Sequence, residues 1–245
     1  MQARTRHAAA LIRAMGERPA LRLWCWYGLH HFHEQLAEIA SNLLRTATLT
    51  QQSSPGPLVI ASFSAGPELR AALESSGAGR HLTVLDSYQT ADLTSEIARA
   101  LRDCAPGEIV LLLLGPVPSA IYDYLVTHSH LPPVFEGQST AGLLVTRGLP
   151  FLQIPRPGHV IESGYPPRLS SEDFSSEAAD ALQAALALRQ PGGAEMTAHF
   201  IQQVTTPDSP LDRYFRAMRR YFDSDDGDKF LAALAFLPST EGSAP

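Results

Sequence analysis

Lysine is almost missing from this chain of 245 residues: Lys229 is the only one, and the other 18 basic side chains are arginines. A Schiff-base enzyme would have to use Lys229, which follows the acidic run Asp223-Ser224-Asp225-Asp226-Gly227-Asp228, where its ammonium form is favoured. No Gly-Lys-Ser/Thr phosphate loop exists, so arginines must do any anion binding by side chains. Cysteine is as scarce. Cys25 and Cys104 lie far apart, which signals neither a disulfide framework nor a four-ligand zinc site and fits a reducing compartment. No apolar run reaches the length of a membrane span, and the polar start is unlike a secretory signal, so the chain reads as soluble and cytoplasmic. Positive charge is also short: 19 basic against 25 acidic residues leave −6, which excludes a nucleic-acid backbone as the main partner.

What is present is the composition of a folded protein, 44% hydrophobic and 18% charged. Residues 1–50 read as a helix (5–15), an aromatic strand (21–27) and a helix (29–44) with apolar positions Leu29, Phe32, Leu36, Ile39, Ala40 and Leu43. A linker is expected over 46–57. Short apolar runs at 58–63, 82–85, 109–114, 124–127 and 151–154 then alternate with helical stretches at 67–75, 93–104 and 139–147, the last closed by Gly148 before Pro150. That alternation predicts an α/β fold with a Rossmann-like parallel sheet covered on both faces. The expected units are the segment 1–50, the sheet domain 57–167, a helical appendage over 168–237 (helices at 175–189, 195–204, 211–222 and 229–237) and a tail, 238–245.

Chemistry concentrates between 123 and 155. There Phe135-Glu136-Gly137-Gln138-Ser139-Thr140 opens a helix, and Gly148-Leu149-Pro150 leads to another strand. A helix N-terminus at the carboxyl edge of a parallel sheet offers amides and a positive dipole to a phosphate. The simpler account makes Ser139 or Thr140 a cap and Gly137 a turn.

This arrangement resembles the C-terminal, donor-binding half of GT-B glycosyltransferases, most clearly the families of the peptidoglycan lipid-linked GlcNAc transferase and of the single-domain donor subunit of the dolichol-linked GlcNAc transferase. The match runs through Gly137-Gln138-Ser139-Thr140, Gly148-Leu149-Pro150 and Pro155. The resemblance implies that the backbone at 137–140 holds the diphosphate of a nucleotide sugar. It also implies that His159 and Glu162 stand where those families hold donor hydroxyls, with Arg156 near the phosphates, and that Ser64, in the turn Ser62-Phe63-Ser64-Ala65-Gly66-Pro67, lies under the donor. Glu136 either reaches a sugar hydroxyl or is a charge at the helix start. The ribose-binding Glu of those families is Leu143 here.

The expectation is a glycosyltransferase-like protein that moves a hexose-type sugar and needs a second chain or a second copy, since 1–50 is too short for an acceptor domain. Catalytic residues are not assigned, and no cofactor or metal is expected. The alternatives are a non-catalytic GT-B-like interaction protein, which Leu143 favours, and another Rossmann-like enzyme acting on a phosphorylated metabolite.

Two further clusters fall short of a metal site. His30-His31-Phe32-His33-Glu34 supplies only two ligands on one helical face, His30 and Glu34, too few for a metal. The acidic run from Asp223 lacks a calcium loop's twelfth-position Glu, which is Leu234. Over 211–222, Leu211, Tyr214, Phe215, Met218, Tyr221 and Phe222 form one stripe, with Arg213, Arg216, Arg219 and Arg220 opposite. The stripe predicts either core packing or association, and the arginines a face for an acidic partner or anionic membrane.

Overall fold

Ile109-Val110-Leu111-Leu112-Leu113 has no polar residue to show water, and in the computed structural model this strand, β4, is buried on both faces. The structure describes residues 2–54, 56–63, 67–75, 82–87, 93–155, 164–169 and 171–223. Beside β4 lie β2 (Leu58–Ser62), equally buried, and β3 (Leu82–Asp86) at the edge. On the far side of β2 come β1 (Arg22–Trp26), β5 (Val134–Phe135) and β6 (Leu152–Gln153), giving six strands in the order β3-β4-β2-β1-β5-β6. All pairs are parallel, in the register Trp24 to Ile60, Ile60 to Leu111 and Leu111 to Val84. The result is a Rossmann-like α/β sheet flanked by helices.

The connections between parallel strands are helical. α2 (Leu36–Ser53) and α3 (Pro67–Ser75) connect strands stepping outward from β1 and pack on each other. α4 (Thr94–Asp103) and α5 (Ser119–Thr127) connect strands stepping back, and α1 (Gln2–Glu17) packs against both. α6 (Gln138–Arg147) joins β5 to β6 and ends at Gly148, whose φ of 59° is the left-handed cap expected there. After a two-stranded hairpin, β7 (Arg168–Leu169) and β8 (Glu172–Asp173), come α7 (Ser175–Ala187), α8 (Ala194–Thr205) and α9 (Pro210–Asp223).

Three expectations are corrected. The segment 46–57 is no linker, because α2 continues to Ser53 with Thr46, Ala47, Thr50 and Gln51 buried. Two of its polar side chains find partners: Thr46 donates to the Ala194 carbonyl at 3.2 Å, and Gln51 accepts from Arg22 at 2.7 Å and donates to the Glu108 carbonyl at 3.2 Å. Buried polar residues so satisfied break an apolar stripe without breaking a helix. Residues 124–127 belong to α5 rather than to a strand, as Leu125 and Val126 bury beside half-buried Ile121 and Tyr122 at helical spacing. The fifth strand is instead Val134–Phe135. Finally, 29–35 form two 3-10 turns, Leu29–His31 and His33–Gln35, before α2 begins.

β5 is short because Pro132 and Pro133 lack the amides a strand must donate. Before it, side chains supplement the backbone pairing: the His130 amide donates to the Leu23 carbonyl at 2.8 Å, Ser129 Oγ accepts the Cys25 amide at 3.2 Å, and His130 Nδ1 accepts that of Leu23 at 3.1 Å. Burial, aided by Arg22 and His128, holds the His130 imidazole below its ordinary value. The unfolded chain therefore takes up this proton near pH 6.5, and the folded chain only at lower pH. The stabilisation is complete above about pH 6.5 and is lost as pH falls through the folded value. Denaturant unfolding should show stability dropping from pH 7.5 to 5 by an amount that shrinks in His130→Asn, whose amide oxygen accepts without titrating. An equal drop in both would assign the dependence to other groups.

The C-terminal helices pack onto the sheet layer. Asn42 of α2, buried, donates to the carbonyls of Leu188 at 3.0 Å and Gln190 at 2.8 Å, fastening the end of α7. On α9, Leu211, Tyr214, Phe215 and Met218 are buried within the chain, so these four are core and the association expected through them loses its basis. The arginine face is also partly occupied. Arg216 pairs with Asp208 at 2.6 Å and Asp212 at 3.0 Å, while Arg220 lies 3.8 Å from Glu172. Residues 229–237 and 238–245 lie outside the described residues.

Candidate functional site

The chain leaves β1 toward β2 on one side of the sheet and returns from β4 to β5 on the other, so strand order reverses between β1 and β5. In open parallel sheets such a reversal leaves a crevice outside the carboxyl ends of the two strands. Two loops meet here. Tyr27, donating its amide to the Val134 carbonyl at 2.8 Å, begins one, and Glu136 begins the other. The neighbour of β5 is thus the strand of the segment 1–50. β2, which carries Ser62, is one strand further away.

Gly28 makes the approach possible. Its φ of +79° is one that side chains resist, and a Cβ built on it would overlap Glu136 Cγ and lie 3.0 Å from Cδ. The Glu136 side chain thus crosses the Gly28 backbone. Glu136 is only 6% exposed, and its Oε1 lies 3.4 Å from His31 Nε2. His31 sits on the first 3-10 turn, closed by its amide to the Gly28 carbonyl at 3.1 Å, and its ring packs against His30. The histidine cluster, set aside as too poor for a metal, delivers this one imidazole to the crevice.

Next to Glu136, Gly137 opens α6 with extended dihedrals (φ −84°, ψ 151°) and no side-chain cap. A Cβ at Gly137 would meet nothing within 4 Å. Ser139 is exposed, whereas Thr140 is buried and its hydroxyl lies 3.0 Å from the Tyr122 hydroxyl. Tyr122 belongs to an aromatic shelf: its ring stands 5.1 Å from Tyr27 and 5.1 Å from Phe63, and Tyr27 is 37% exposed. Burial pushes the Tyr122 phenol up, so it remains a neutral donor or acceptor.

The loop after β6 returns to the same place. Gln153 accepts the Gly164 amide at 3.0 Å, and Tyr165 hydrogen-bonds the backbone of both Phe151 and Gln153. Arg189 links this loop to the first one, donating to the Pro155 carbonyl at 3.1 Å and to Gln35 at 2.6 Å while lying over the Phe32 ring.

Of the residues expected from sequence, Glu136, Gly137, Ser139 and Thr140 lie together at the start of α6. Gln138 is there by its backbone. Ser64, Arg156, His159 and Glu162 lie outside the described residues. Sequence reasoning passed over Gly28, His31, Tyr27, Tyr122 and Arg189; the signal available was Tyr27-Gly28 closing an aromatic strand, which has no meaning until that strand is known to neighbour β5.

Fold and site together define a parallel α/β protein in which the loops after β1 and β5 meet where the strand order reverses. No protein-family model, curated protein or solved structure matches the chain. Among the described residues no helix is long and apolar enough to cross a membrane.

Proposed function

We propose that the crevice binds a nucleoside-diphosphate sugar and that the chain is a glycosyltransferase-like donor unit transferring a hexose-type sugar, its cleft completed by a second chain. The observation that carries this reading is the start of α6: uncapped by any side chain, opened by a glycine with empty space over it, and standing at the carboxyl edge beside the switch point. The α6 amides and dipole suit the diphosphate. The Tyr27–Tyr122 shelf beside it suits a flat ring, and Ser139 offers a hydroxyl. A non-catalytic interaction protein is the second reading, favoured by Leu143, which leaves α6 without a carboxylate for a ribose.

Calorimetry with uridine-, guanosine- and thymidine-diphosphate hexoses separates the two. Binding of at least one donor is expected. Gly137→Val should weaken it tenfold or more with the unfolding midpoint unchanged, because valine accepts those dihedrals and its side chain would fill only the ligand's space. Absence of heat with every donor would support the interaction protein, and unchanged affinity in the variant would move the ligand away from α6.

A further inference from the structure

We propose that His31 is the proton acceptor of the crevice and Glu136 the carboxylate that positions it, an assignment resting on the nucleotide-sugar reading above. The two residues stand far apart in sequence and meet only because β1 pairs with β5. Burying a carboxylate is unfavourable, and apolar packing would serve stability as well or better. Here the burial also requires a left-handed glycine at 28 to let the side chain pass. The fold therefore maintains a costly group at the switch point, aimed at one edge of an imidazole.

The imidazole is the open member of the pair. The His31 side chain is 37% exposed while that of Glu136 is 4% exposed, so the dyad has a buried anchor and an accessible end. With Nε2 3.4 Å from Glu136 Oε1, the carboxylate favours the tautomer protonated at Nε2, which leaves the lone pair on Nδ1. This is the carboxylate–imidazole arrangement in which the carboxylate fixes the tautomer and stabilises the imidazolium that forms. Glu136 immediately precedes the glycine that opens α6, so the dyad borders the proposed diphosphate site.

The oxygen of an alcohol, or of water, bonds to the anomeric carbon of the donor. The bond from that carbon to the diphosphate oxygen breaks, its electron pair leaving with the nucleoside diphosphate. The proton of the attacking hydroxyl passes to His31 Nδ1, and the resulting imidazolium faces Glu136.

Water serves as the acceptor in the test. The wild-type chain, incubated with whichever nucleoside-diphosphate hexose it binds by calorimetry, should release nucleoside diphosphate above the buffer rate. His31→Ala should lower the turnover rate a hundredfold or more with donor affinity within about twofold, and free imidazole should restore part of it. Glu136→Gln, which keeps the side chain's shape against Gly28, should lower turnover about tenfold or more without loss of affinity. Unchanged turnover in His31→Ala, loss of turnover that imidazole fails to rescue, or a bound donor that the wild type never cleaves would each overturn the assignment while leaving the donor site standing. Absence of binding to every donor would overturn both.

Discussion

Gly148→Ala is expected to remove about 2–5 kcal/mol of stability, the largest loss from any single methyl group among the sites discussed. Two effects add. Alanine at φ 59° carries a left-handed penalty of about 1–2 kcal/mol. The added Cβ would also overlap Arg219 Cβ and stand 2.6 Å from the Phe215 carbonyl oxygen and 2.8 Å from the Arg219 amide nitrogen. Backbone atoms of a packed helix cannot swing aside like a side chain, so α9 must lift from α6, with an overpacking cost of about 1–3 kcal/mol or more. Against a total of roughly 5–15 kcal/mol for an ordinary domain, this moves the chain toward its threshold. Denaturant unfolding measures it, and a loss under about 1 kcal/mol would mean that α9 is not pressed against this turn.

Gly28→Ala should cost about 2–4 kcal/mol and also disturb the crevice. The left-handed penalty is again about 1–2 kcal/mol, and the remainder comes from displacing Glu136, whose Cγ occupies the space of the new Cβ. A double-mutant cycle separates these parts. In a Glu136→Ala background the obstructing atom is gone, so Gly28→Ala should cost only the backbone penalty, a coupling of about 1–2 kcal/mol. If the cost is the same in both backgrounds, the crossing of Glu136 over Gly28 does not restrict this turn. The single variant should also lose turnover, because Glu136 is moved from His31.

The start of α6 was legible in the sequence because its signals are local: a glycine before Ser-Thr, an apolar helical run, then Gly148 with Pro150 beyond. Leu58–Ser62 and Ile109–Leu113 were legible for the same reason, being short apolar runs bounded by turns. The errors fell where tertiary contacts override local pattern. Tyr124-Leu125-Val126-Thr127 has strand-like residues yet is helical, since its apolar residues meet the core at helical spacing. The true strand, Val134–Phe135, was hidden by its length, with the Ser129 and His130 side chains accepting β1 amides just before it. α2 runs past its local signal because Thr46 and Gln51, linker-like in sequence, are satisfied by carbonyls and a side chain from elsewhere in the chain.

The sequence by itself therefore determined the class, a parallel α/β sheet with C-terminal helices, and the place where α6 starts. Periodicity and turn chemistry act within a few residues and need no knowledge of neighbours. Only the tertiary structure decided that the aromatic strand of the first fifty residues stands between β2 and β5, so that Tyr27, Gly28 and His31 face Glu136 and the start of α6. Strand order depends on which segments remote in sequence bury each other's apolar faces. Side chains more than a hundred residues apart become partners only when that pairing is made.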